Sequence, residues 1–257
     1  MNNQDVCILV NCSLQSKAGL RAETLPGDFV AALEPFVRKG KGLIIFSGDN
    51  VIPEPYNRVL GEKHRLLPLP LKGVAKAEAA KPFLVNRGSF RDGPAVFRNF
   101  SEDKYYEIFD AVVVYRHIEM DEKTPFAKPV KKIVTPVGDA GDAPQTAVEE
   151  DAVTENLPHV IMRLGTGENQ ATGKKNEDRE ADRRGNALAA SKRVGEGEVI
   201  FVSSAANFEG FEPDTTRPTL TLPRWTTLHT LPTLLYFVEA SLGHIAYGQS
   251  QNHNLVA

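Results

Sequence analysis

The strongest constraint on the fold lies in residues 26–50, where a helical pattern is followed at once by a continuous apolar run. Apolar residues recur at helical spacing and form a single stripe: Phe29, Ala32, Leu33, Phe36 and Val37. Asp28 is the expected N-cap, and Gly40 is the expected left-handed residue after the helix. The run Gly42–Phe46 has no polar side chain, which is typical of a strand that is covered on both faces.

A second apolar strand, Val6–Val10, precedes this helix. Strand, helix and strand in one sheet make a parallel pair that is joined by a right-handed crossover. The length of 257 residues suits one large domain with a substantial core. The sequence therefore predicts an α/β fold.

Composition excludes several classes of protein. The net charge of -3 leaves no domain-wide basic field for phosphates, so no nucleic-acid partner is expected. Cys7 and Cys12 would lie roughly 16 Å apart on an extended chain, too far for a disulfide. No run of about 18 apolar residues is present, so we expect a soluble chain that makes no membrane contact itself.

Four segments in the middle of the chain have readable patterns. Residues 53–60 predict a short helix with a proline in its first turn. Two prolines in residues 65–75 exclude a central strand, and we expect an extended segment at the rim of the sheet. Residues 111–115 and 159–164 are rich in β-branched residues and predict strands.

The end of the chain predicts a hairpin and a helix. The hairpin spans residues 187–202 with a glycine turn at Gly195–Gly197. The helix spans about 227–242, and Trp225 before it is expected to be a buried anchor. Its expected buried face is Leu228, Leu231, Leu234, Leu235 and Val238. Polar, turn-rich tracts at about 124–156 and 165–186 are interpreted as loop-rich insertions.

Small polar residues follow three of the predicted strands. In open α/β sheets, ligands bind beyond the carboxyl ends of the strands, and parallel strands would bring these ends to one edge. The candidates for a ligand crevice are Ser13, Ser47, Gly48, Asp49, Ser203 and Ser204. In a catalytic interpretation Ser47 is the nucleophile and Asp49 the base. The alternative is that small polar residues are ordinary in turns.

Other signals of chemistry are scarce in the sequence. His229 is the histidine to compare with Ser47, because a nucleophile needs a base within hydrogen-bond reach; its alternative role is that of a capping or surface residue. The six histidines show no paired metal-ligand spacing, and no phosphate-binding glycine loop is present. No metal and no cofactor are therefore predicted.

Four stretches together resemble a known family: FVAALEPFVRKGKGLIIFSGDNV, YNRVLGE, RVGEGEVIFVSSA and LPRWTTLHTLPTLLYFVEASLG. With the first strand they are similar to the class I glutamine-amidotransferase-like domain of BatA-type (aerotolerance-type) membrane-anchored bacterial proteins, and more distantly to trehalose-utilisation-type relatives. The resemblance covers about half of the chain. It implies a single amidotransferase-like domain over 1–257, with a flavodoxin-like, mostly parallel sheet and helices on both faces. It also implies a place on the extracytoplasmic face of the bacterial cytoplasmic membrane, within a membrane-anchored protein.

The resemblance does not supply a catalytic triad. In active amidotransferases the cysteine would sit in the turn after the strand that ends at Phe46, and this chain has Ser47-Gly48-Asp49 there. No His-x-Glu follows Val202. Two hypotheses follow. The first is a non-catalytic module for interaction or assembly with protein partners that are not identified. The second is a hydrolase or small-ligand binder that uses Ser47 and Asp49.

Overall fold

The computed structural model describes residues 4–15, 24–78, 81–90, 93–102, 108–124, 126, 157–165, 185–207, 210–213, 221–230 and 232–254. Nearly all of the two expected insertions, 124–156 and 165–186, lie outside the described residues. The described part is a mixed α/β structure, as expected from the sequence.

The strands are β1 (Val6–Val10), β2 (Gly42–Ser47), β3 (Leu71–Lys76), β4 (Phe83–Val85), β5 (Val113–Val114), β6 (Arg116–Met120), β7 (His159–Gly165), β8 (Ala187–Val194), β9 (Gly197–Ala205), β10 (Phe211–Pro213) and β11 (Thr221–Pro223). Seven of them form one sheet in the order β1-β2-β9-β8-β7-β4-β5. The pairs β3-β6 and β10-β11 form two separate two-stranded sheets.

The large sheet is mixed. Its strands β1, β2 and β9 are parallel, so the expected parallel pair of β1 and β2 is confirmed. The remaining pairs of the sheet, from β9 through to β5, are antiparallel. The predicted hairpin is β8-β9, and Gly195 in its turn has a φ of +63° that suits glycine. The parallel arrangement expected from the sequence is thus restricted to the first three strands of the sheet.

The helices are α1 (Gly27–Arg38), α2 (Pro53–Tyr56), α3 (Ala95–Arg98) and α4 (Pro232–Asn254). The chain continues from α2 into one π-helical segment, Asn57–Lys63. Helix α1 confirms the prediction, with one correction: Pro26 is the N-cap, and Asp28 lies in the first turn without a capping bond from its side chain. Gly40 has the expected positive φ, +91°.

Alternate residues of β2 belong to two hydrophobic clusters. Leu43 and Ile45 pack in a cluster that contains Leu33 of α1. Ile44 and Phe46 pack in the other cluster, which contains Phe237 of α4. Every residue of β2 is buried, so the expectation of a strand covered on both faces is confirmed.

The strand expected at 111–115 is shorter than its sequence suggests. Only Val113 and Val114 pair in the large sheet, and β6 begins at Arg116 in a different sheet. The chain changes partner here because the backbone N–H groups of Tyr115 and Arg116 both donate to the carbonyl of Trp225. The proline-containing segment 65–75 behaves as expected, since its strand β3 starts after both prolines and pairs outside the large sheet.

The predicted buried face of the last helix is wrong in one respect. Leu235 is 70% exposed, whereas the fully buried positions are Thr233, Phe237, Ser241 and Ile245. The two hydroxyl residues are buried because Thr233 Oγ1 donates to Ile108 O at 2.6 Å and Ser241 Oγ donates to Phe237 O at 2.7 Å. A pattern based on apolar residues alone misses such positions. Among the described residues, no helix combines the length and apolar character needed to cross a membrane.

Candidate functional site at the carboxyl edge of the parallel strands

The carboxyl ends of β1, β2 and β9 lie side by side, because these strands are parallel neighbours in the sheet. One edge of the sheet therefore holds the candidate residues, as expected. Ser13 and Asp49 follow β1 and β2, Ser47 is the last residue of β2, and Ser203 and Ser204 lie near the end of β9. Whether this edge can bind a ligand or catalyse a reaction depends on the contacts of its side chains.

Asn11 joins the ends of β1 and β2. Its backbone N–H donates to Phe46 O at 3.0 Å, and its Oδ1 accepts from the backbone N–H of Asn50 at 2.8 Å. Asn11 itself has a positive φ of 50°, a conformation that asparagine tolerates better than most residues. Its side chain lies directly against Gly48, where an added Cβ would be 2.5 Å from Asn11 Oδ1. Gly48 is thus needed for the close approach of the two loops.

Ser47 is fully buried at the end of β2. Its Oγ has no hydrogen-bond partner in the described part of the chain. His229 lies half-buried in the short 3-10 helix Leu228–Thr230, and no Ser47–His229 hydrogen bond is formed. An activated serine needs a base bound to its hydroxyl and access for the substrate. Neither condition is met by Ser47 in this geometry.

Asp49 accepts hydrogen bonds from two side chains and forms a longer ion pair with a third. Trp225 Nε1 donates to Asp49 Oδ1 at 2.8 Å, and Arg224 Nη1 donates to Asp49 Oδ2. Arg116 Nη1 lies 3.8 Å from Asp49 Oδ1. No hydrogen bond joins this carboxylate to the Ser47 hydroxyl, which has no partner in the described part of the chain. Asp49 is therefore an anchor of the surrounding elements rather than a poised base.

A chain of ion pairs extends from this carboxylate across the small sheets. Arg116 on β6 pairs with Glu212 on β10, and Lys76 Nζ on β3 lies 2.8 Å from Glu212 Oε1. The end of β2 is thereby connected to three other strands. We define this set of residues as the edge network: Lys76, Asp49, Arg116, Glu212, Arg224 and Trp225.

The sequence indicated only part of the edge network. Trp225 was expected to be an anchor, and its 3% exposure and its bond to Asp49 confirm this. The charged partners Arg116, Glu212 and Arg224 were missed. They stand far apart in sequence and belong to no spacing motif, so only the folded topology brings them together.

The remaining candidate serines donate to backbone carbonyls. Ser203 Oγ donates to Ala187 O at 3.3 Å, Ser204 Oγ to Arg116 O at 3.0 Å, and Ser13 Oγ to Gln15 O at 2.7 Å. All three serines are buried. Bonds of this kind satisfy buried hydroxyl groups and fix neighbouring segments.

Some polar atoms near the edge have no protein partner. In the described part of the chain, Arg116 Nε and Arg224 Nε are buried without a hydrogen-bond acceptor, as is the Ser47 hydroxyl. The two guanidinium groups already share Asp49, so their unused donors belong to one cationic neighbourhood. Such groups can donate hydrogen bonds to a small anionic or carbonyl-bearing molecule, or to water.

Two further features lie away from this edge. A pocket of about 400 Å³ opens between α2 and the start of β3, where Asn57 binds the backbone of Leu71 on both its N–H and C=O. On β6, His117 is fully buried against the ring of Phe83, and burial lowers its pKa to about 4. Over the residues that the structure describes, no three His, Cys, Asp or Glu side chains converge on a metal position.

A scan against protein-family models and a search of curated proteins found no match. Function is therefore inferred from the geometry of the chain's own residues and from the resemblance given above.

Proposed function

We propose that this chain is a non-catalytic, amidotransferase-like module that mediates protein interaction or assembly. In the resembling family such a domain belongs to an envelope-anchored bacterial protein, and we extend that setting, on the extracytoplasmic face of the cytoplasmic membrane, to this chain.

One observation carries the proposal. Asp49, the only acid in the turn where the family places its catalytic residue, is bound by Trp225 and Arg224, while the Ser47 hydroxyl beside it is fully buried. A reacting group must meet its substrate and its base at hydrogen-bond distance. The side chains of this turn hold parts of the domain together. We therefore place the function on the surface of the domain.

We also propose a more specific description of the fold. A flavodoxin-like arrangement with helices on both faces is supported by the two clusters on alternate residues of β2, one with α1 and the other with α4. It is also supported by the parallel order of β1, β2 and β9. The chain 1–257 is then a single domain with insertions at about 124–156 and 165–186.

The test is an allelic replacement in the source bacterium. Ser47→Ala removes the only hydroxyl that could act as a nucleophile in this turn, and it keeps the volume of the site nearly unchanged. We expect this variant to behave as the wild type in any phenotype that deletion of the gene produces. A Ser47→Ala protein that folds normally but reproduces the deletion phenotype would overturn the proposal.

The alternative is a small-ligand binder or hydrolase at the same edge. It is favoured by the buried donors Arg116 Nε, Arg224 Nε and Ser47 Oγ, which lack protein partners in the described part of the chain. A thermal-stability screen with carboxylates, phosphates, sugars, esters and amides tests it, since a ligand that binds only the native state must raise the melting temperature. A rise that is lost in Arg224→Gln would favour this alternative. No rise for any class would count against it.

A further inference from the structure

Among the described residues, the large sheet has one covered edge and one open edge. At the far end, β5 is covered, because Thr227 N donates to Val113 O and Tyr115 N donates to Trp225 O. At the near end, β1 pairs only with β2 among the described residues. An unpaired edge strand presents a row of free backbone donors and acceptors to other chains.

The direction of the backbone groups on β1 follows from the bonds at its two ends. Asp5 O accepts from Gly42 N, and Asn11 N donates to Phe46 O. In a parallel ladder the residues that bond to one neighbour alternate along the strand, so the odd-numbered residues face β2. The N–H and C=O groups of Val6, Ile8 and Val10 therefore point away from β2. Val10 O accepts a weak hydrogen bond from Cys12 Sγ at 3.5 Å, which a pairing strand would have to replace.

The side chains on β1 do nothing to block a partner at this edge. Ile8 is 44% exposed and Val10 is 39% exposed, which is unusual for large apolar residues of a sheet. The strand contains no proline, no lysine and no bulge in its register with β2. A proline, a lysine or a bulge normally prevents edge-to-edge pairing, and β1 has none of the three.

The sequence of β1 is also symmetric about its centre. In Val6-Cys7-Ile8-Leu9-Val10, an antiparallel copy centred on Ile8 places Ile8 opposite Ile8 and Val6 opposite Val10. Each outward-facing residue would then exchange both backbone hydrogen bonds with the residue directly opposite it on the partner strand. The acidic Asp5 would lie opposite Asn11, so no like charges meet across the pair.

We propose that β1 is a self-association edge, at which two copies of this chain pair antiparallel about Ile8 and join their sheets into one. The exposed apolar pairs are covered by this arrangement, and the two-fold symmetry closes the contact so that it does not propagate. This inference goes beyond the proposed function, because it is argued from β1 alone, and it names a second copy of the chain as the partner.

Sedimentation equilibrium of the purified chain measures the association. The proposal predicts a species of twice the chain mass of 28.2 kDa. Ile8→Lys should weaken the dimer on the order of tenfold or more, because two ammonium groups would lie directly opposite each other. Leu235→Lys is the matched control: it also replaces an exposed leucine-sized residue, 70% exposed on α4, and should leave the dimer unchanged.

A cysteine variant tests the register. In a Cys7→Ser, Cys12→Ser background, Ile8→Cys should form a disulfide-linked dimer on mild oxidation, since directly opposite residues have a Cα separation of about 5.5 Å. Val74→Cys, half-exposed on β3, should form no disulfide-linked dimer in the same assay. A monomeric wild type at 100 μM, a dimer that survives Ile8→Lys, or no Ile8→Cys crosslink would each overturn the proposal. A monomeric wild type would still leave the non-catalytic function standing, whereas dependence of the biological phenotype on Ser47 would remove that function and leave the dimer intact.

Discussion

The indole N–H of Trp225 donates to the carboxylate of Asp49 at 2.8 Å, and this bond fastens the end of β2 to the segment that covers β5. The two residues lie 176 positions apart in the chain. One end of the bond lies in the turn that carries the candidate nucleophile Ser47. The other end stands on the segment that closes the far edge of the sheet. A position expected to do chemistry thus holds the domain together.

Asp49→Ala should lower the free energy of unfolding by about 2–3 kcal/mol, the usual cost of removing hydrogen bonds to a charged group. Urea unfolding followed by the fluorescence of Trp225, the only tryptophan, measures this directly. Glu54→Ala is the control, because Glu54 and Arg58 form an exposed pair whose loss should cost about 0.5 kcal/mol or less. Equal losses for the two variants would contradict the role given to Asp49.

Ser47→Ala should leave stability unchanged or raise it by about 1 kcal/mol. The Ser47 hydroxyl is buried and unpaired in the described part of the chain, so its removal relieves a desolvation cost without breaking a bond. Chemical denaturation compares it with Ser203→Ala, which should be destabilising because Ser203 Oγ bonds to Ala187 O. A marked loss of stability in Ser47→Ala would show that the hydroxyl has a partner.

Gly48→Ala should be destabilising by about 1–3 kcal/mol, as expected for overpacking against a fixed neighbour. The added Cβ would meet Asn11 Cγ at 2.5 Å. A double-mutant cycle with Asn11→Gly should recover part of the loss, because the second change removes the clashing atoms. Gly73→Ala is the control, since nothing lies within 4 Å of a Cβ at that exposed position. Full additivity in the cycle would contradict the close approach described here.

The buried His117 should make stability depend on pH. Its pKa is lowered to about 4 by burial, so between the unfolded value near 6.5 and about 4 the unfolded chain binds the extra proton. The free energy of unfolding therefore keeps its full value above pH 6.5, and it falls by about 1.4 kcal/mol per pH unit as the pH drops from 6.5 to about 4. His117→Gln should flatten the profile, whereas His159→Gln, at an exposed residue, should not. An unchanged slope in His117→Gln would contradict this assignment.

Local patterns in the sequence identified the elements whose side chains repeat regularly. The helix of residues 27–38, the buried strand at 42–47 and the hairpin at 187–205 all follow from spacing, apolar runs and glycine turns. The length of the strand at 111–115 was overestimated, because the backbone N–H groups of Tyr115 and Arg116 both donate to the carbonyl of Trp225. The buried face of α4 was misjudged, since Thr233 and Ser241 are buried by bonding to backbone carbonyls.

The position of the candidate site could be predicted, but its chemical state could not. Parallel strands bring Ser47 and Ser203 to one edge, and the sequence was sufficient to infer this. Whether Asp49 is free or engaged depends on Arg116, Arg224 and Trp225, whose nearness is fixed by tertiary contacts between distant segments. Such long-range pairs leave no trace in the spacing of a single sequence.

We propose that the turn after β2 is structural and not catalytic. The most direct measurement is intact-protein mass after exposure to a serine-directed fluorophosphonate, with Ser47→Ala as the control. We expect no adduct on the wild-type chain, because the Ser47 hydroxyl is fully buried and has no base bound to it. A stoichiometric adduct that disappears in Ser47→Ala would show that the turn is catalytic and that Ser47 is an activated serine.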